Sequence, residues 1–465
     1  MKGMPWRDQT VTAVIAAIVT LFGVVLIQAS GTLALLSEEE GAAAVALRSV
    51  AWVFIGIACY TAAVVTGNVF TTLVAGRVRL IAQYRLLGAS AGLLRRRLAL
   101  EGFGAALVGG VTGFAAGIAL SRFAVLRFVE TGALPPMDYP LVQPDAVVPG
   151  LVTAFTVVAA AWLGSRAVGR VAPVQALSAT VEAPAERSRA SVARIVLFWL
   201  TLLPGLGLLA FGVVFGLADP GGVVIAFFGG VGSFTAVVIA APILLPRLMR
   251  LTGRLFGQAP PARLARENAV RQPRSAARGA LGMVIGVTLV VMFIVAAESF
   301  RARMTEYLGR LADAGEVPLE IVEVIDSVLA TLGGIMVGLT VVSGVLAAIG
   351  MIANLGLRVL QRRRELGLLR AVGTTAGQLR ASITAEAAIA SIVGIGFGTL
   401  LGVFYGWVGA QSAIGALDGR LFWPSVPWQL LAAVAAACVL LSLAASVGPA
   451  LRSTRLSPLE ALRVA

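Results

Sequence analysis

Long apolar runs separated by short polar segments constrain this chain more than any other feature. A helix rises about 1.5 Å per residue, so about 20 apolar residues cross a hydrocarbon core of about 30 Å. About ten such runs can be counted, at approximately residues 11–36, 49–76, 98–121, 147–168, 193–217, 222–246, 279–297, 327–357, 383–408 and 428–450. Only 13% of the residues are charged, about half the share usual in soluble domains. The sequence therefore predicts an all-α integral membrane protein with about ten transmembrane helices.

The charged residues divide unequally between the two sides that these runs define. If the runs cross alternately with the N-terminus inside, 30 of the 37 cationic residues lie on the inner side, and 15 of the 23 acidic residues lie on the outer side. This is the positive-inside pattern. It predicts a multi-pass membrane protein with cytoplasmic N- and C-termini, and the scarcity of lysine beside abundant alanine, glycine and arginine favours a bacterial cell membrane. The basic excess then serves orientation, contact with lipid headgroups or a cytoplasmic partner, and no nucleic acid partner is expected.

Several kinds of catalytic site are excluded by residue types that the sequence lacks. There is no histidine, so a histidine-based triad or zinc protease site cannot form. The single lysine is Lys2, which rules out a Walker A loop. Cys59 and Cys438 lie within apolar runs, where packing is the expected role. No catalytic site of these kinds is therefore expected on this chain.

A basic stretch between two apolar runs occurs twice. Residues 77–101 read RVRLIAQYRLLGASAGLLRRRLALE, and residues 362–386 read RRRELGLLRAVGTTAGQLRASITAE. A single offset aligns the two stretches from first residue to last and continues without a gap to Pro173 and Pro458. This register indicates an internal duplication. Six predicted crossings separate the copies, an even number, so both copies face the same side and the repeats are parallel rather than inverted.

The duplication predicts two four-helix repeats joined by a two-helix hairpin. The first repeat covers residues 1–177, a linker and spacer hairpin cover 178–250, and the second repeat covers 251–465. The proline-rich segment 122–146 is expected to be a non-helical cap on the outer side. If residues 327–360 form one helix, it reaches about 51 Å and projects beyond the membrane.

Each copy of the basic stretch predicts a short amphipathic helix. Gly373 is placed to end this helix in the second copy, and Thr374 or Thr375 to begin the next; Gly88 and Ser90 do the same in the first. Such a helix can insert its leucines into a groove of a soluble partner, with its arginines pairing to acidic residues. The alternative is that the arginines only fix topology and bind headgroups.

Two carboxylates fall about one turn inside predicted membrane helices, where an unpaired charge is costly. Glu101 has Arg97 at the i−4 position as a partner, but Ser382 stands at the corresponding position before Glu386. Coupling or structural capping is favoured over proton transport. Glycines later in the same helices predict close helix packing; they are Gly109, Gly110, Gly113, Gly117, Gly394, Gly396, Gly398 and Gly402.

The second copy carries the clearest resemblance to a known family. The segment RRRELGLLRAVGTTAGQLRASITAEAAIASIVGIGFGTLLG, followed by a last apolar run and RLSPLEAL, resembles the FtsX-like permease domain of the macrolide-exporter and lipoprotein-release class of ABC transporters. RLIAQYRLLGAS with APVQAL resembles a diverged first copy. The resemblance implies four-span units and a coupling helix after the second span of each unit. It also implies that this chain is a non-catalytic subunit that binds no metal or cofactor of its own, and that a separate cytoplasmic ATPase homodimer carries ATP and Mg²⁺.

The resemblance places the ATPase-docking residues by position. They are Arg79, Tyr84, Arg85 and Gly88 in the first copy and Arg364, Glu365, Leu366, Leu369, Arg370 and Gly373 in the second. Leu80 stands where the second copy has Glu365, so the two contacts are expected to differ. Family members often carry a large extracytoplasmic domain, and the longest predicted outer loop here, 298–326, is too short for one.

The function implied by this resemblance is that of a transmembrane permease subunit. It would couple ATP hydrolysis on the partner to export or extraction of an amphipathic substrate, such as a lipid, lipopeptide, antimicrobial peptide or drug. The alternative is a mechanotransmission complex that regulates a cell-wall hydrolase or a sensor kinase without transport. Membrane lipids and an extracytoplasmic or accessory protein are further expected partners.

Overall fold

The structure is a computed structural model that describes residues 6–36, 42–76, 78–132, 134–170, 192–254, 267, 273–314 and 373–455. Every regular element among these residues is helical. The apolar run 327–357 and the predicted second docking helix, with Arg364 and Arg370, lie outside the described residues.

Ten α-helices follow one another along the described parts of the chain. They are α1 (Trp6–Leu36), α2 (Ala42–Gly76), α3 (Val78–Leu86), α4 (Ala91–Glu130), α5 (Val148–Gly164), α6 (Val192–Phe215), α7 (Gly222–Gly253), α8 (Pro273–Asp313), α9 (Ala376–Ile414) and α10 (Trp428–Arg455). Short 3-10 helices lie at Pro144–Val147, Ser165–Arg170 and Gly415–Leu417. Seven helices in the described parts are long and apolar enough to cross a membrane, and α2 and α10 contain shorter apolar segments. The predicted all-α membrane protein is confirmed, while the count of about ten crossings stays a prediction.

Helix α4 is longer than the apolar run that predicted it. It covers 40 residues, or about 60 Å, against a predicted span of 98–121. Its arginines are good helix formers, so charge alone does not end it. The Ser90 side chain caps the first turn of α4. Gly132, whose backbone is left-handed at φ +74°, lies two residues after the end of the helix. The prediction of a non-helical segment from Arg122 onward is therefore wrong, because the helix continues to Glu130.

The described helices group into two compact units, residues 1–178 and 179–465. In the first unit, α1 and α4 pack side by side and run in the same direction, since Gly109 lies against Ala13 and Gly117 against Leu21. Helices α2 and α5 also pack together, and Cys59 Sγ lies 3.8 Å from Thr153 Oγ1 at this contact. The first docking stretch connects α2 to α4 and is therefore held by two packed helix pairs.

In the second unit, α8 and α9 form the corresponding parallel pair, with Gly394 against Met283 and Gly402 against Val291. The α6–α7 hairpin turns at Asp219, whose Oδ1 accepts a 2.6 Å hydrogen bond from the backbone N of Gly221. The hairpin packs against α9, so its contacts belong to the second unit. The division of the chain into residues 1–177, 178–250 and 251–465 describes the sequence repeat and stays a prediction.

Candidate functional site

The first basic stretch folds as a short helix, a tight turn and the start of a long helix. Helix α3 has nine residues and begins directly after α2. The backbone N of Ala89 donates to the carbonyl of Tyr84, and the N of Gly88 donates to the carbonyl of Arg85. This pair of bonds is a Schellman motif with Gly88 in the left-handed conformation, at φ +92°. The predicted helix stop at Gly88 is confirmed.

The next helix begins where the sequence predicts. Ser90 is the N-cap of α4, and its Oγ accepts a 3.2 Å hydrogen bond from the backbone N of Leu93. A hydroxyl at this position satisfies a backbone donor that has no partner inside the helix. The turn from α3 to α4 is thus determined locally by Gly88 and Ser90, two positions apart.

One side of α3 is anchored in the first unit. Ile81 and Ala82 are buried against Val74 of α2, Leu94 of α4 and Val168 of the 3-10 helix after α5. Tyr84 packs at the edge of the same cluster and is half-buried. Because three other elements hold this side, α3 cannot rotate independently of the helices that follow and precede it.

The other side of α3 presents leucines to the surroundings. Leu80 and Leu86 are exposed, and Leu87 is 84% exposed, with Gln83 beside them. Arg85 is half-buried, and the side chain of Arg79 is not among those described. An exposed row of leucines on an anchored helix is suited to insertion into an apolar groove. The residue-by-residue prediction omitted Leu86 and Leu87, although two leucines before a helix-ending glycine were a signal.

The second copy is described from Gly373 onward. Gly373 also has a left-handed backbone, at φ +102°, and Thr375 is the N-cap of α9. Thr375 Oγ1 accepts from the backbone N of Gln378, and Gln378 Oε1 accepts from the N of Thr375, forming a capping box. Of the two threonines considered, Thr375 is the cap. The docking residues Arg364, Glu365, Leu366, Leu369 and Arg370 lie outside the described residues.

The two carboxylates predicted to lie within the membrane, Glu101 and Glu386, are each the eleventh residue of their helix, α4 and α9. Glu101 Oε1 is 3.4 Å from Arg97 Nε, which confirms the predicted i, i+4 pair. Its side chain is 16% exposed, so pairing offsets part of the desolvation cost of the carboxylate. Glu386 occupies the corresponding position of α9 and is half-buried. Both lie between the docking turns and the glycines that pack the long helices.

Comparison with known proteins gives matches over the same parts of the chain. The family model described as FtsX-like permease C-terminal matches residues 52–172 and 321–458, together more than half of the chain. The two matches end within one position of the residues that the duplication pairs, Pro173 and Pro458. The family model therefore recognises both copies of the repeat.

Three curated relatives match about 30% of the chain each. An uncharacterized ABC transporter permease of Bacillus subtilis, YknZ, is 28% identical over 140 residues, and one of Methanocaldococcus jannaschii is 25% identical over 147. A macrolide export ATP-binding/permease protein of Paracoccus denitrificans, MacB 1/2, is 31% identical over 144 residues. The matches cover 32%, 36% and 21% of these relatives, so the chain spans about a third of their length or less. Since the family model accounts for more than half of its residues, the chain belongs to the FtsX-like permease family.

Proposed function

We propose that this protein is a transmembrane permease subunit of an ABC transporter. It binds a separate ABC-type ATPase dimer on the cytoplasmic side and uses ATP hydrolysis on that partner to export or extract an amphipathic substrate. ATP and Mg²⁺ bind the partner, and this chain contributes no catalytic residue. The membership of the FtsX-like family and the names of the relatives, all ABC transporter permeases, support this proposal.

The exposed leucine side of α3 is the observation that carries the proposal. The helix follows α2, which the sequence predicts to cross the membrane, is anchored on its inner side and presents Leu80, Leu86 and Leu87 outward. Burial of one leucine contributes about 1.5–3 kcal/mol, so burying these three in a partner's groove would contribute favourably to docking. Half-buried Arg85 stands next to them and can pair with a carboxylate at the rim of the partner's groove.

The anchoring of α3 provides a route for mechanical coupling. A force on α3 acts on the cluster of Ile81, Ala82 and Leu94, and therefore on the start of α4. Helix α4 packs along α1 over several turns at its glycines. Displacement of α3 by the closing ATPase dimer would then move the α1–α4 pair as one body, as packed elements transmit strain rather than deform.

Co-purification of the full chain with ABC-type ATPases of the same genome tests the docking step. We expect one ATPase to bind and to hydrolyse ATP faster when the permease is present in nanodiscs. Leu87→Asp should weaken binding at least tenfold, because about 1.4 kcal/mol corresponds to a factor of ten and a buried leucine exceeds that. Leu141→Asp is the matched control, because Leu141 is also exposed but lies in the segment before α5. Equal binding by both variants would contradict docking through α3.

The second docking contact and the transport step need separate measurements. Charge reversal at Arg364 and Arg370 should also weaken ATPase binding, and intact binding and function in that variant would contradict coupling through the second copy. ATP-dependent movement of a fluorescent phospholipid or lipopeptide in liposomes containing both subunits tests transport. ATP hydrolysis that depends on Leu87 without substrate movement would instead favour the regulation of a hydrolase or kinase.

A further inference from the structure

Two arginines of the first unit lie against one tryptophan ring. The guanidinium carbon of Arg95, in α4, is 4.5 Å from the ring centroid of Trp162, and that of Arg166 is 5.6 Å from it. Trp162 is in the last turn of α5, and Arg166 follows in the 3-10 helix Ser165–Arg170. The ring stabilises each cation, but two guanidinium groups on one ring also repel one another.

The charges of this pair are not balanced by the described part of the protein. Among the described residues, neither Arg95 nor Arg166 has a carboxylate within 4.0 Å. Arg95 Nη2 has a long hydrogen bond, 3.5 Å, to the carbonyl of Trp162. The Nε atom of Arg95 is buried, and no described residue forms a hydrogen bond with it. Two guanidinium groups that share one ring and have no carboxylate beside them favour an anion as the balancing partner.

The surroundings of the pair are those of a membrane boundary. Trp162 is exposed at the end of a row of exposed apolar side chains on α5 that includes Leu151 and Phe155. Leu100 and Phe103 form a similar exposed row on α4, after Arg95. In a membrane protein such rows face lipid tails, and tryptophan and arginine at the end of the row lie at the level of the headgroups.

We propose that Arg95, Trp162 and Arg166 form a binding site for the phosphate of an anionic phospholipid. Guanidinium groups bind phosphate oxygens by paired hydrogen bonds, and the ring of Trp162 holds both groups in place. A lipid is favoured over an acidic side chain of a soluble partner because the exposed apolar rows of α4 and α5 lead directly to the site. The register of the duplication places Arg380, Val447 and Leu451 at the corresponding positions, so the site belongs to the first unit alone.

Native mass spectrometry of the purified full chain tests the site. Dioleoylphosphatidylglycerol is titrated against the protein in detergent, with dioleoylphosphatidylcholine and inorganic phosphate as parallel probes. We expect a phosphatidylglycerol molecule to be retained, and the double variant Arg95→Gln, Arg166→Gln to weaken its binding roughly 10- to 100-fold, since a hydrogen bond to a charged group contributes about 1.5–3 kcal/mol. Trp162→Phe should keep the site and Trp162→Ala should weaken it.

Arg122→Gln is the matched control, because Arg122 is an exposed arginine farther along the same helix. Arg166→Gln alone keeps the test independent of folding, because the Arg166 side chain is exposed and its loss leaves no cavity. Equal lipid binding by Arg166→Gln and Arg122→Gln would overturn the proposal. If the protein retains inorganic phosphate but no phospholipid, the ligand is a free phosphate and the proposed lipid site is wrong. Unchanged lipid binding with lost ATPase binding would assign the pair to a protein interface instead.

Discussion

The two units pack their long helices at the same glycines but with different partners. In the first, Gly109 and Gly113 lie so close to α1 that a Cβ on either would overlap the carbonyl oxygen of Ala13 or Ala17. In the second, a Cβ on Gly398 would lie 2.8 Å from Val287 Cβ and 3.0 Å from the carbonyl oxygen of Val284. The first pair therefore packs backbone against backbone, and the second packs side chains against backbone. Glycine at the same repeat position therefore permits a closer helix contact in the first unit than in the second.

The partner residues also extend the correspondence between the units to their first helices. The equivalent glycines Gly113 and Gly398 lie against Ala17 and Val284. One turn later the partners are Leu21 and Thr288, so the same shift along the sequence relates both pairs of partners. The register of the basic stretches would instead have paired Ala17 with Ala302. The segment between the first helix and the predicted docking turn is therefore longer in the second unit by 18 residues, the difference between positions 302 and 284.

The largest effect is expected where backbone meets backbone. Gly113→Ala should lower the stability of the first unit by about 3 kcal/mol, because overpacking against a carbonyl can be relieved only by separating α1 from α4. Gly398→Ala should cost less, about 1–2 kcal/mol, because its nearest contacts, 2.8 Å and 3.0 Å, are longer than the 2.2 Å contact at Gly113 and need a smaller shift of α8. Thermal unfolding of each purified variant in detergent, followed by circular dichroism, measures the difference.

Two other glycines of the same helices serve as controls. A Cβ on Gly110 or Gly396 meets no atom within 4 Å, so alanine there should be neutral or stabilise by up to about 1 kcal/mol through better helix propensity. If Gly113→Ala and Gly110→Ala unfold at the same temperature, close packing of α1 on α4 is not what Gly113 provides.

A second comparison concerns the loops that precede α5 and α10. In the first unit, Gln28 of α1 donates to the carbonyl of Leu141 and accepts from the backbone N of Gln143. In the second, Gln411 of α9 makes the same two bonds to the backbone of Arg420 and Phe422. Each glutamine thus fixes two backbone groups that are two positions apart, but the helix that supplies it differs.

The second loop has additional attachments. Asp418 accepts hydrogen bonds from Arg310 at 2.7 Å and from Arg303 at 3.1 Å, and Phe422 is buried against Ile414 and Trp407. Trp407 Nε1 also donates to the carbonyl of Phe422 at 2.7 Å. In the first loop, the described hydrogen bonds to α1 are those of Gln28, and the side chain of Gln143 also lies against Gly31.

Each glutamine can be replaced by methionine, which is similar in size but cannot form the two hydrogen bonds. The two variants separate the loss of folding stability from the release of the loop. Gln411→Met should cost about 2–3 kcal/mol, because it leaves the buried N of Phe422 unsatisfied, yet the loop stays in place through Asp418 and Phe422. Gln28→Met should cost less, about 1–2 kcal/mol, but should release residues 134–143. Hydrogen exchange measured by mass spectrometry should rise there in Gln28→Met and change little over 415–427 in Gln411→Met. The reverse pattern would show that attachments other than Gln28 hold the first loop.

The sequence predicts the parts of the fold that depend on local chemistry. Apolar runs specify membrane helices whatever their neighbours are, and Gly88, Ser90 and Gly373 specify turns through backbone conformation and capping. Contacts between distant segments are different. A lone glutamine in an apolar run indicates a buried hydrogen bond, but nothing in the sequence says that Gln28 reaches Gln143. Likewise, Arg95 and Arg166 are ordinary basic residues until α4 and α5 place them on the same tryptophan.

The smallest expected effect tests the two helix starts that follow the docking turns. Thr375 forms a capping box with Gln378, whereas Ser90 makes one bond, because Leu93 occupies the position of the glutamine. Thr375→Ala should therefore cost about 1–2 kcal/mol and Ser90→Ala about 0.5–1 kcal/mol. Faster amide exchange in the first turn of α9 or α4 reports the loss locally. Leu93→Gln, at an exposed side chain, should complete the box in the first unit and slow exchange there. If it does not, the stronger cap of the second unit depends on more than the pair Thr375 and Gln378.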